Sequence, residues 1–250
     1  MDKELLKESA RIIKNAKHVT AFTGAGISVE SGIPPFRGPK GLWNSVDPTF
    51  IEINYFEENY ATSWKSIKKI FYDFFGQAKP NSAHLALAEL EKMGIVKAII
   101  TQNIDNLHQE AGSKVVYEFH GTANTLLCQH CGERFNASEW DFSEMPPKCP
   151  KCKAKKIKPD FVFYGEGIPE KPYRMSLKEA EVADVFIVIG TTGEVMPACM
   201  MPQIARQNGA KVIEINITPS ALTRNVTTHF LEGKAGEVMS KLLEEIKQLG

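Results

Sequence analysis

No stretch of this 250-residue chain approaches the roughly 20 consecutive apolar residues that a membrane-spanning helix needs, so a spanning segment is not expected. The segment from Met1 to Lys17 mixes charges with Leu5, Leu6, Ile12 and Ile13 and lacks the apolar core of a secretory signal, which points to a cytoplasmic protein. Net charge is missing as well. Thirty basic and thirty acidic side chains cancel, which argues against a protein that holds nucleic acid mainly by bulk electrostatics. There is no internal repeat and no low-complexity linker. Cysteine is scarce at five residues, and its spacing carries more than its number. What remains, 43% hydrophobic and 24% charged residues, is the balance of an ordinary globular protein. The length fits one large domain with an insertion, or two modest ones.

The first segment predicts an amphipathic helix through Leu5, Leu6, Ile12, Ile13 and Ala16, leading into a strand at 18–23. Further strands are expected at 96–101, 115–119, 161–164, 185–189 and 211–217, with helices at 82–93, 177–183, 197–208 and 236–249. Several of these strands are apolar on both faces, as in a covered parallel sheet, and the alternation predicts an α/β fold with a doubly wound parallel sheet. Two stretches break the rhythm. Residues 35–78 are rich in aromatics and read as a helical module, and residues 122–160 hold four of the five cysteines. Each is expected as an insertion, together making a smaller lobe beside a sheet domain of residues 1–34, 79–121 and 161–250.

Cys128 and Cys131 form one C-x-x-C pair and Cys149 and Cys152 another, after 17 intervening residues. Four thiolates at this spacing suit a tetrahedral zinc ion, and four protein ligands leave no open position for a substrate. A structural zinc ion is therefore expected, against reduced unligated pairs or a redox couple as alternatives. His130 lies inside one knuckle, and Cys199 is left over in an apolar helical stretch. Six lysines fall between Lys148 and Lys158, a basic patch expected to be a solvated face, with contact to nucleic acid or an acidic partner as the alternative.

The turn Gly24-Ala25-Gly26-Ile27-Ser28 follows a strand, where a dinucleotide fold holds a pyrophosphate. The third glycine of the fingerprint is replaced by Val29, so the turn alone is a weak signal. Its company sharpens it. A loop with Phe36 and Arg37 comes next; Gln102, Asn103, Ile104 and Asp105 follow one strand, His120 and Gly121 another, Gly190, Thr191 and Thr192 a third, and Asn216 and Ile217 a fourth. Polar or glycine-rich tips on many strands mark one cleft at the carboxyl edge of the sheet.

In their order along the chain these elements resemble the sirtuins, NAD-dependent protein deacylases, and most resemble the compact archaeal and bacterial members. The resemblance covers essentially the whole chain. It implies a Rossmann-like sheet with a smaller lobe made of a zinc ribbon and a helical insertion, NAD as co-substrate, one structural zinc, and transfer of an acetyl group from lysine to ADP-ribose with release of nicotinamide. By resemblance His120 is the general base that deprotonates a ribose hydroxyl, a task suited to an imidazole near neutral pH. Asp105 and Ile104, with Ser28 close by, would hold the nicotinamide carboxamide, and Asn103 would position a water or the ribose. Gly24, Ala25, Gly26 and Arg37 would surround the phosphates, Phe36 would cover the reactive carbon, and Gln102 would meet the nicotinamide ribose. Gly190, Thr191, Thr192, Asn216, Ile217 and Ala235 complete the implied cofactor site on the adenosine side.

The resemblance also implies an acetylated protein substrate sandwiched by β-augmentation between Phe163-Tyr164-Gly165-Glu166 and Gly193-Glu194-Val195. Val162, Tyr164 and Val195 would line the acyl-lysine tunnel. A chromatin protein is the partner the family suggests; no membrane is involved, and direct nucleic-acid contact is left only to the lysine-rich zinc module. Pro35 stands where the family has Asp, Gly193 where an apolar residue is usual, and Tyr164 where Phe is frequent. Family members that remove acidic acyl groups carry Tyr and Arg where this chain has Ile67 and Ile70, so deacetylation or removal of longer apolar acyl groups is expected over desuccinylation. Two other readings stand beside deacylation: mono-ADP-ribosyl transfer in the same cleft, and a non-enzymatic zinc-ribbon binding module.

Overall fold

In the computed structural model, which describes residues 2–38 and 41–249, the segment Val19–Thr23 is buried along its whole length. Met1, Pro39, Lys40 and Gly250, which fall within the ranges predicted above, lie outside the described residues. The chain runs α1 (Lys3–Asn15), β1 (Val19–Thr23), α2 (Ile53–Glu58), α3 (Tyr60–Ile67), α4 (Ser82–Lys92), β2 (Val96–Thr101), α5 (Leu107–Glu110) and β3 (Val116–Glu118). It continues through β4 (Gly121–Cys128), β5 (Arg134–Asn136), β6 (Ile157–Phe161), α6 (Glu170–Val182), β7 (Val185–Ile189), α7 (Met200–Gln207), β8 (Lys211–Asn216), β9 (His229–Glu232) and α8 (Ala235–Gln248).

Six strands form one parallel sheet in the order β3-β2-β1-β7-β8-β9. The order runs outward in one direction from β1 and in the other from β7, which makes this a Rossmann-like doubly wound sheet with its switch point between those two strands. Because β1 and β7 are covered on both faces, all ten of their residues are buried. On one face lie α1, α4 and α8, joined through Leu6, Ile13, Leu87, Leu90, Met239 and Leu242. Asp2 starts α1 by accepting hydrogen bonds from the Glu4 and Leu5 amides, and the helix then buries Leu6, Ala10 and Ile13 at helical spacing. On the other face α6 and α7 cover Phe22, Phe186 and Val188.

The second sheet is antiparallel, in the order β5-β4-β6, and carries the cysteine pairs. It packs with α2, α3 and the helical turns after α3 into an aromatic core containing Phe56, Trp64, Phe71, Phe161 and Phe163. Polar groups suture these pieces. Tyr60 donates its hydroxyl to the Pro147 carbonyl at 2.7 Å and accepts from the Ile157 amide at 3.0 Å. Trp64 Nε1 donates to the Ile157 carbonyl at 2.9 Å, and Tyr72 donates to that of Ala123 at 3.0 Å. No helix among the described residues is long and apolar enough to cross a membrane.

Several elements depart from the periodicity of the sequence. The strand expected at 161–164 forms at Ile157–Phe161 instead and joins the small sheet. Pro159 masks it, yet β6 is an edge strand, where a residue without an N–H is tolerated. Beyond it Tyr164 makes only an isolated bridge to Glu52. Strands β4 and β5 lack alternating apolarity because much of this sheet is exposed or half-buried. Helix α6 starts at Glu170, before the predicted 177, because Pro172 falls in the first turn, where its missing N–H has no intrahelical partner to lose.

Candidate active site

Strand β1 delivers the chain into Gly24, whose amide bonds the Ile189 carbonyl at 2.9 Å, and Gly26 bonds the Gly190 carbonyl at 2.8 Å. The ends of β1 and β7 thus touch at the switch point. A Cβ on Gly26 would sit 2.6 Å from Gly190 Cα, and one on Gly24 would sit 2.8 Å from the Gly190 oxygen. Gly190 has φ +63°, which favours glycine. The glycines answer a close crossing of two main chains, and the same crossing leaves a concave turn without side chains, as a pyrophosphate requires. The short helical turn Ala25–Ser31 follows directly.

Behind the turn lies a hydrogen-bonded set. Asn103 Nδ2 donates to the Gly24 carbonyl and to Ser28 Oγ, both at 3.2 Å, and Ser28 donates to Asp105 Oδ2 at 2.7 Å. Asp105 Oδ1 accepts from the Leu107 amide at 3.1 Å. Burial pushes the Asp105 carboxyl above its ordinary value, and the bonds from Ser28 and Leu107 oppose that shift. Below this set, Thr101 Oγ1 accepts from the Asn103 amide at 3.1 Å and from Thr23 Oγ1 at 2.9 Å. Thr23 Oγ1 lies 2.9 Å from Nε2 of the buried His108.

His120 follows β3 and sits half-buried, with Nδ1 3.0 Å from the Gln102 carbonyl. A carbonyl only accepts, so Nδ1 carries the proton and Nε2 is left with its lone pair. Burial, aided by the charge of Arg37, pushes the imidazole below its ordinary value, while the bond to Gln102 works the other way. The side chain of Gln102 reaches across the switch point and donates to Thr191 Oγ1 at 3.1 Å. Phe36 stacks on Trp43 at 5.3 Å between ring centres, and Arg37 beside it is exposed. Pro35 is accommodated because its loop is closed by carbonyls: those of Pro35 and Phe36 accept from Leu42 and Trp43 at 2.8 and 3.2 Å.

On the far side Asn216 Nδ2 donates to the Thr191 carbonyl at 2.9 Å, Thr192 and Ile217 are exposed, and Ala235 opens α8. Gly193 has φ +71°, and a Cβ there would lie 2.6 Å from Leu222, so local packing accounts for this departure. Glu30 was not singled out from sequence. Its carboxylate accepts from the Gly236 amide at 2.7 Å and ties the turn after β1 to the start of α8; an acidic residue 206 positions from its partner leaves no local signal.

The residues expected to grip the substrate are less uniform. The Val162 amide donates to the His120 carbonyl at 2.8 Å, joining that segment to the histidine. The Tyr164 main chain is paired with Ile51 and Ile53 at 2.9 and 3.0 Å, its side chain is exposed, and Gly165 beside it is exposed too. Glu166 accepts from the Phe163 amide at 2.7 Å. Gly193, Glu194 and Val195 form no strand; the Val195 carbonyl accepts from Cys199 at 2.9 Å.

The thiol groups of Cys128, Cys131, Cys149 and Cys152 all lie within 4.8 Å of one another. Sulfur pairs stand 3.6 Å apart for Cys128 and Cys152 and 3.7 Å for Cys131 and Cys149. A tetrahedral ion with Zn–S bonds of about 2.3 Å sets its ligands about 3.8 Å apart, so the donor set fits zinc. His130 is not part of this group, and Cys199 lies elsewhere, at the start of α7. The lysine patch needs one correction. Lys148, Lys151, Lys153, Lys155 and Lys156 are exposed, but Lys158 is buried.

A glycine-lined switch point, a tautomer-fixed histidine and a hydrogen-bonded Asn–Ser–Asp set, beside a lobe with a four-cysteine metal site, define a dinucleotide-using enzyme built on a Rossmann-like sheet. Residues 24–197 match the model of the Sir2 family. An NAD-dependent protein deacylase from Pyrococcus furiosus is 46% identical over 98% of this chain and 99% of its own length. The crystal structure of a Sir2 homologue with NAD superposes with a TM-score of 0.89 at 39% identity, over 100% of this chain and 95% of that one. Sir2Af2 bound to a myristoylated histone peptide superposes with a TM-score of 0.81 at 38% identity, over 99% and 98% of the two chains. The chain belongs to the Sir2 family.

Proposed function

We propose that the protein is an NAD-dependent protein-lysine deacetylase, which moves an acetyl group from lysine to ADP-ribose and releases nicotinamide. The observation that carries the active-site reading is the His120–Gln102 contact, since it leaves an unprotonated Nε2 at the carboxyl edge of the sheet, beside the glycine turn. NAD supplies an electrophilic ribose carbon when nicotinamide departs. The protein's part is to bind, orient and move protons. His120 takes a proton from a ribose hydroxyl, which its depressed pKa permits at neutral pH. Asp105 and Ile104 hold the carboxamide, with Ser28 and Asn103 fixing the aspartate. Gly24, Ala25, Gly26 and Arg37 receive the phosphates, and Gln102, Gly190, Thr191, Thr192, Asn216, Ile217 and Ala235 receive the ribose and adenosine. Phe36, braced by Trp43, covers the reacting carbon and shields it from re-attack by nicotinamide.

A protein is the substrate. We assign its acyl-lysine to the surface around Val162, Tyr164, Gly165, Glu166 and Val195, with the peptide pairing its main chain there by β-augmentation. The bond from Val162 to His120 supports this, because it couples that surface to the proposed base. A chromatin protein is the proposed physiological target, and the histone peptide bound by Sir2Af2 supports it. The sheet and its helices (residues 1–34, 79–121 and 161–250) form the NAD half, with the helical module 35–78 and the zinc ribbon 122–160 as its smaller companion.

Incubation with NAD and an acetyl-lysine peptide, followed by mass spectrometry, tests the proposal. Deacetylated peptide, nicotinamide and O-acetyl-ADP-ribose in equal amounts are expected. ADP-ribose added to a protein, with acetyl retained, would reassign the chemistry to ADP-ribosyl transfer.

A further inference from the structure

Lys158 is the buried member of an otherwise exposed lysine cluster, at 4% exposure on the edge strand β6. An ammonium has three N–H groups, and each one is used. They donate to the Pro159 carbonyl at 3.0 Å, the Phe161 carbonyl at 2.5 Å and Glu166 Oε2 at 3.0 Å. The nitrogen also lies 4.1 Å from the centre of the Phe163 ring, within cation–π range. Glu166 Oε2 in turn accepts from the Phe163 amide. The main chain from Pro159 to Glu166 is therefore wrapped around one buried cation. Burial alone favours the neutral amine, and Glu166 opposes it.

An apolar side chain would fill this volume among Phe161 and Phe163 at lower cost than a desolvated charge. What it could not do is satisfy two inward carbonyls and a carboxylate at once. The contacts bracket the segment whose Val162 amide bonds the His120 carbonyl and whose Tyr164 main chain pairs with Ile51 and Ile53. We propose that Lys158 is a positioning residue for the protein substrate: its buried ammonium sets the course of the Phe161–Glu166 main chain on which the acyl-lysine peptide lies. It acts on peptide binding and not on NAD. Glu166 is the second half of this device, its carboxylate spent inside the chain. The inference rests on the substrate surface assigned under Proposed function.

The test uses zinc-loaded full-length protein and the variants Lys158→Met, Glu166→Gln and the double variant. Affinity for an acetyl-lysine peptide is measured by titration calorimetry, and KM for peptide and for NAD by steady-state kinetics. Lys158→Met should weaken peptide binding and raise peptide KM about tenfold or more, with NAD KM within about twofold and zinc content unchanged. Because both residues serve one contact, the double variant should be no worse than the worse single variant. Glu166→Gln keeps the side-chain shape and an acceptor for the Phe163 amide, so it gives the same comparison if Lys158→Met does not fold. Wild-type peptide affinity in either folded variant, or an equal loss in peptide and NAD parameters, overturns the inference alone. A wild-type protein that binds no acyl-lysine peptide overturns the substrate surface and the inference with it.

Discussion

His120 and Gln102 meet at 3.0 Å, side-chain Nδ1 on main-chain carbonyl, and the same glutamine's side chain reaches past the end of β1 to Thr191 after β7. One residue thus orients the proposed base and spans the switch point. Since burial and Arg37 hold the imidazole below its ordinary value, its basic form persists into mild acid. The acid limb of kcat/KM should fall below about pH 6.5, the ordinary histidine value. His120→Ala should lower turnover by roughly 10²–10⁴ and leave zinc content unchanged. Retained activity in that variant would falsify the assignment of the base.

Metal analysis should find one zinc per chain in the wild-type protein and in Cys199→Ser, whose thiol lies outside the cluster. Cys128→Ser or Cys149→Ser should lose the metal and melt at lower temperature, the small lobe first, since both thiols are buried in its core. Full zinc retention in either variant contradicts the site.

His84 and His108 stack edge to face at 4.9 Å, both buried, and burial lowers the pKa of His84 to about 4. The unfolded ring titrates near 6.5. Stability from keeping this ring neutral is present above pH 6.5 and is lost as pH falls toward 4, by up to about 3 kcal/mol. Urea unfolding of the wild-type protein should therefore weaken across that window, and His84→Gln should weaken less. Equal slopes for the two proteins would exclude the ring as the cause.

Ile67 and Ile70 are buried in the aromatic core beside Trp64. With no cation at either position to meet the free carboxylate of a succinyl group, acetyl-lysine peptide should be consumed faster than succinyl-lysine peptide. Competition between the two in one reaction, read by mass, checks this; a succinyl preference contradicts it.

Much of this molecule was legible in the chain because its signals are local. Strand β7 is an uninterrupted apolar run and β2 is apolar but for the exposed Lys97 and its final Thr101, and both form at the predicted residues. The cysteine spacing led to four thiols in one place. What escaped depends on partners distant in sequence. Pro159 hides an edge strand whose ladder is visible only once β4 lies beside it. Lys158 looks like its neighbours until Phe163 and Glu166 fold back over it. Glu30 gains meaning only from Gly236.

The chain leaves the large sheet after Glu118, and the first and last strand residues of the small sheet, Gly121 and Phe161, are partners in one antiparallel ladder. Everything between them is a detour that begins and ends at the same place. Strands in a ladder lie about 5 Å apart, so closing this detour asks almost nothing of the host chain, whatever the detour's length. A zinc lobe of other size or charge could be spliced in at this doorway while the nucleotide half kept its geometry. Recognition of new proteins and retention of old chemistry are, in this architecture, separable inheritances.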